Sequence, residues 1–149
     1  MAASLLTSHM GYWLRYVSNH VSHAFARKLE GHEVTVAEWV VLRELFDGEN
    51  IAPSRLAEKL GLTRGAISKL ADRLIDKGLL AREDSRDDKR AHRLALTRKG
   101  KDLVPKLAAL ADRNDAEFFG DLTADERATV ERVLKAIVER RGLKTIPVD

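Results

Sequence analysis

The sequence predicts a mainly α fold with one small β-hairpin, a winged helix-turn-helix flanked by N- and C-terminal dimerisation helices. Three observations predict it. Apolar residues recur at helical spacing in six segments. Hydroxyl caps and glycine stops divide those segments. Two short strand-like runs lie between the fourth and the fifth.

The first helix spans Gly11 to Leu29, with Leu14, Val17, Val21, Ala24 and Phe25 as its apolar positions and Gly31 as its stop. Thr35-Val36-Ala37-Glu38 is a capping box that opens a second helix running to about Phe46. Asp47-Gly48 is a turn signal. Pro53 suits the first position of a third helix, Pro53–Leu60, whose N-cap, Ala52, is a poor one. Gly61 ends that helix in the left-handed conformation. Thr63 caps a fourth helix that ends near Lys77, with Gly78 beyond it. Leu79–Glu83 and Ala91–Thr97 follow as strands joined by a polar tip, with His92, Leu94 and Leu96 on one face of the second. Thr97 caps a fifth helix marked by Leu103, Leu107, Leu110, Asn114 and Phe118, with a kink expected at Pro105. Thr123-Ala124-Asp125-Glu126 opens a sixth, apolar at Val130, Val133, Leu134, Ile137 and Val138.

These elements divide into a winged helix-turn-helix module over residues 35–101 and a helical dimerisation region over 8–31 and 102–142, one structural unit overall. The first, fifth and sixth helices each carry an apolar stripe that so small a core cannot absorb. Partner helices from a second copy would cover them.

The chemistry lies in the middle. Ala57, Gly61 and Ile67 have helix-turn-helix spacing: a small residue where the helices cross, a glycine at the turn, and a plug between the helices. At 100° per residue, Ile67, Leu70, Ala71 and Leu74 form one apolar arc of the fourth helix. Arg64, Gly65, Ser68, Lys69, Asp72 and Arg73 lie on the other side, cationic at both edges and nearly bare at Gly65. A helix entering a major groove needs short residues where bases come close and long cations that reach phosphates or guanines. A solvated helix face is the plainer alternative. The hairpin adds Arg82, Arg86, Lys89, Arg90 and Arg93, either a minor-groove reader or a salt-bridged loop. Arg98, Lys99 and Lys101 stand where the helix dipole disfavours cations, so they either meet a phosphate or serve solubility.

Charge follows the same division. Ser54–Lys101 holds 14 Lys+Arg against 7 Asp+Glu, a net of +7, whereas the remainder nets −4 of the total +3. A basic centre suits a polyanionic partner, although uneven solvation accounts for it equally well. The chain has no cysteine, which excludes disulfides and thiol redox sensing and fits a cytoplasmic setting. It shows no signal pattern and no membrane-length apolar run. There is no nucleophile or acid–base constellation, no phosphate-binding glycine loop and no zinc motif, so neither an enzyme nor a cofactor is expected.

Leu56-Ala57-Glu58-Lys59-Leu60-Gly61-Leu62-Thr63, Asp72–Leu80, Asp88-Lys89-Arg90 and Leu96–Lys101 together resemble the multiple-antibiotic-resistance regulator (MarR) family. The likeness covers nearly the whole chain. It implies a homodimeric repressor on a pseudopalindrome of double-stranded DNA, with recognition helices in major grooves and wings in the flanking minor grooves. It implies Arg90 as the minor-groove arginine and Asp88 as its supporting carboxylate. It also implies release by a small aromatic or anionic effector, bound where the first, second and fifth helices meet the winged module. Tyr16, His20, Trp39 and Arg43 are the residues placed to line that site.

Ala52 departs from the family's hydroxyl N-cap, and the lack of cysteine removes its peroxide-sensing branch. His20 and His23, three residues apart, could share a metal but lack further ligands. The rival function is a winged helix that binds protein rather than DNA. That use calls for an apolar outer face on the fourth helix.

Overall fold

The computed structural model describes the chain except for Glu49, residues 85–91, Thr145 and residues 147–149. Six helices and one hairpin follow in the predicted order: α1 Met10–Glu30, α2 Val36–Phe46, α3 Pro53–Leu60, α4 Arg64–Asp76, β1 Leu80–Asp84, β2 His92–Leu96, α5 Arg98–Phe119 and α6 Ala124–Arg140. Threonine hydroxyls set four of the starts. Thr35, Thr63, Thr97 and Thr123 each accept the backbone N–H three residues on, and Glu38 and Glu126 complete reciprocal boxes. Such a cap contributes about 1 kcal/mol. α3 starts on Ala52 with no side-chain cap and Pro53 just inside.

Gly61 and Gly78 end α3 and α4 at φ +65° and +75°. Gly31 ends α1 differently, staying right-handed at φ −62°. The left-handed residue of that turn is Glu33, at φ +56°. α5 runs unbroken through Pro105.

β1 and β2 pair antiparallel, with Leu80 opposite Leu96 and Arg82 opposite Leu94. Ile51 adds a third rung, exchanging backbone hydrogen bonds of 2.8 and 3.2 Å with Leu94. Leu94 and Leu96 are buried as the alternation requires, whereas His92, toward the tip, is exposed.

The core sits where α2, α3, α4 and the hairpin meet the lower halves of α1 and α5. Leu29, Leu42, Leu56, Ile67, Leu74 and Leu107 are its fully buried centre. α6 contributes no buried residue. Its Val130, Val133, Leu134, Ile137 and Val138 remain 39–49% exposed. Trp13, Leu14 and Val17 of α1 are similarly uncovered. A cavity of about 410 Å³ between the two helices is lined by Trp13, Leu14, Val17, Phe119, Val130 and Leu134.

Gly100 fixes how α5 leaves the hairpin. A Cβ there would stand 2.3 Å from the Leu79 carbonyl oxygen, which already accepts the Thr97 N–H at 3.1 Å. Backbone, not a flexible side chain, would have to move. Gly100→Ala should therefore destabilise the chain by about 1–3 kcal/mol, the usual cost of overpacking. The check is a lower urea midpoint at unchanged slope.

Candidate nucleic-acid interface

The geometry of α4 divides its residues cleanly. Ile67, Leu70, Ala71 and Leu74 are buried against the core. Arg64, Gly65, Ser68, Lys69 and Arg73 are exposed together on the outer side. An added Cβ at Gly65 would meet only the Thr63 hydroxyl, at 4.0 Å. Intramolecular packing thus gives no reason for glycine in the first turn, where it costs about 1 kcal/mol against alanine. The outer face is polar and cationic rather than apolar, and the helix N-terminus beside it is capped by the Thr63 hydroxyl.

The wing is braced onto this helix. Arg82 on β1 makes an ion pair with Asp72 on α4. The Asn50 amide donates to Glu83, and the Arg93 guanidinium donates to the Asn50 carbonyl at 3.0 Å. Both wing strands are therefore held to the segment before α3. The tip residues Asp88, Lys89 and Arg90 lie outside the described residues.

The first-turn cations of α5 find protein partners. Arg98 lies 3.5 Å from Asp102. Lys99 Nζ donates at 3.1 Å to the carbonyl of Lys77, the C-cap of α4. A cation disfavoured by its own helix thus sits at the negative end of a neighbouring one. Sequence reading missed this role, because the partner is 22 residues away. Lys101 is exposed.

Of the four residues placed near an effector, the structure pairs two. Tyr16 and His20 stack with centroids 5.2 Å apart and planes 18° apart. Trp39 instead stands edge-on to Phe25 at 6.1 Å. Arg43 donates to Asp47 at 2.7 Å and lies 5.8 Å from the Phe46 ring centroid. His20 also lines a cavity of about 460 Å³ with His23, Arg27, Lys28 and Phe118. Among the described residues, no three His, Cys, Asp or Glu side chains converge on a metal position.

Behind that cavity is a polar tie the sequence left unremarked. Asn114, in the middle of the α5 stripe, is buried. Its amide donates to the Val21 carbonyl at 3.1 Å, and its oxygen accepts from Lys28 at 2.9 Å. Lys28 also donates to Glu117 at 2.8 Å, and this bond holds the Glu117 carboxyl below its ordinary range. An asparagine inside an apolar stripe is the visible signal, since burial demands partners.

Known proteins share this architecture. A family model described as the MarR family matches residues 32–91. The chain is 31% identical over 112 residues to the HTH-type transcriptional regulator PrsX of Escherichia coli, covering 74% of this chain and 68% of that protein. It is 25% identical over 135 residues to the HTH-type transcriptional regulator SarZ of Staphylococcus haemolyticus, covering 91% and 90%. Among solved structures, a cysteine-to-serine mutant of MarR from Escherichia coli complexed with operator DNA matches with a TM-score of 0.82 at 27% identity, over 91% of this chain and 99% of that one. The PcaV regulator of Streptomyces coelicolor, in complex with its natural ligand, gives 0.82 at 26% identity, over 93% and 98%.

Proposed function

The chain belongs to the MarR family of transcriptional regulators, and from that premise we propose that it is a cytoplasmic repressor that binds a pseudopalindromic operator as a homodimer and leaves it when a small organic ligand binds. The exposed, cationic outer face of α4 around an unpacked Gly65 carries this reading. Residues 35–101 form the reading module. Residues 8–31 and 102–142 join two copies through the uncovered faces of α1 and α6.

The contacts divide by reach. Arg64, Gly65, Ser68 and Lys69 meet base edges from the N-terminal part of α4. Arg73, further along, holds phosphate. Arg90 enters the minor groove from the wing tip, with Asp88 steadying it and Lys89 adding charge. The operator-bound MarR neighbour supports DNA as the partner.

An aromatic anion suits the effector role. The stacked Tyr16–His20 pair offers π surface, and the adjoining cavity offers Arg27 and the two histidines. Trp39 and Arg43 meet Phe25 and Asp47 and are not among the residues that line that cavity. The PcaV neighbour, solved in complex with its natural ligand, supports a ligand-binding role.

The test is a gel shift of DNA from upstream of the chain's own gene, with and without candidate aromatic acids, alongside heparin chromatography. Retarded DNA released by one acid, and late elution from heparin, are expected. Elution at low salt with no shift on any duplex would instead point to a protein-binding winged helix.

A further inference from the structure

α4 is anchored at one end and open at the other. Its C-cap residue, Lys77, turns its ammonium onto protein acceptors, although the side chain stays 36% exposed. Nζ lies 2.9 Å from each carboxylate oxygen of Glu38 and 2.6 Å from the Glu33 carbonyl. Three donors thus meet three acceptors. Glu38 is fully buried and also receives the Thr35 N–H at 2.8 Å. Burial pushes its carboxyl up, but the Thr35 amide and Lys77 outweigh that and hold it below the ordinary range. The Lys77 and Gly78 carbonyls are bound in turn by Lys99 at 3.1 Å and the Thr97 hydroxyl at 2.6 Å. The turn after α1 and the starts of α2 and α5 therefore all converge on the end of α4.

We propose that Lys77 is a positioning residue for DNA recognition, setting the angle of α4 by tying its C-terminal end to buried Glu38 and to the turn at Glu33. This rests on the reading of α4 as the recognition helix. Arg64 and Gly65 lie at the opposite end, roughly 18 Å away at 1.5 Å per residue. A tilt of about 5° at the anchor displaces them by about 1.5 Å over that length, enough to spoil a base contact. The apolar packing beneath α4 also resists such a tilt, but without directional bonds. Three hydrogen bonds from one ammonium to the Glu38 carboxylate and the Glu33 carbonyl are directional and hold this end of α4 in place.

Lys77→Met alone strands a buried carboxylate, so the deciding variant is the double Glu38→Gln/Lys77→Met. Glutamine keeps an acceptor for the Thr35 N–H, and no buried charge remains. Each full-length variant is competed between a duplex selected from random sequence by the wild type and a scrambled one, at several salt concentrations, with thermal unfolding in parallel. Lys77→Met should melt lower, and the double variant should recover most of that loss. Both should lose about tenfold of their preference for the selected duplex, with scrambled affinity and its salt slope unchanged. Wild-type preference in the double variant overturns the proposal. So does a scrambled-duplex salt slope lowered by about 1 per protomer, which marks a direct phosphate contact. A wild-type chain that selects no duplex overturns the DNA reading itself, and this proposal with it.

Discussion

Leu134→Asp should convert the chain from dimer to monomer in sedimentation and weaken a two-half-site duplex by more than about a hundredfold. Leu134 is 41% exposed on α6 and lines the apolar cavity shared with α1. A second copy that covers this face removes the 39–49% exposure left on each α6 side chain, a gain of about 1 kcal/mol apiece, and two-fold symmetry counts each one twice. Aspartate removes that gain at both copies and adds the cost of burying two carboxylates. Operator affinity falls when dimerisation is lost, because the second half-site is reached at high effective concentration only through a linked second copy. Leu134→Ala removes bulk without charge and should weaken the dimer by less. Truncation before Thr123 removes the whole face and should leave monomer or aggregate. A Leu134→Asp chain that sediments as a dimer would place the interface elsewhere.

The cations of the reading surface should separate by their signatures. On the proposed reading, Arg64→Ala removes a base contact at the N-terminal end of α4. It should cost about 1–3 kcal/mol on operator and relax the preference at one position. On the same reading, Arg73→Ala removes a phosphate contact. It should weaken operator and scrambled DNA alike and lower the salt slope by about 1 per protomer. Arg90→Ala should do both, because a narrow minor groove is read through shape as well as charge. Competition binding of each variant at several salt concentrations distinguishes the three. If Arg64→Ala and Arg90→Ala both stay within about twofold of wild type on operator, the assigned surface is wrong.

Local rules carried most of the fold into the sequence. Thr35, Thr63, Thr97 and Thr123 mark helix starts because a capping hydroxyl acts within three residues. The buried arc of α4 was legible because 3.6-residue periodicity separates its faces without knowledge of the partner. What stayed hidden was set by long-range partners. Lys77 reads as a basic residue at a helix end, yet its acceptors are 39 and 44 residues away. Lys99 reads as a misplaced charge until α4 ends beside it. Trp39 and Arg43 are grouped with Tyr16 and His20 through the family resemblance, and which neighbours their side chains meet on α2, Phe25 and Asp47, depends on packing that the sequence does not display. Glu33 takes the left-handed position beside an available glycine, in a turn whose carbonyl Lys77 holds.

The most direct measurement is selection of bound duplexes from a random-sequence pool by the full-length chain at physiological salt. A two-fold dimer that presents α4 from each copy should enrich an inverted repeat, its half-site centres about 10–10.5 base pairs apart or a multiple of that. A pool with no enrichment, or one enriched in a single unrepeated site, would contradict the account.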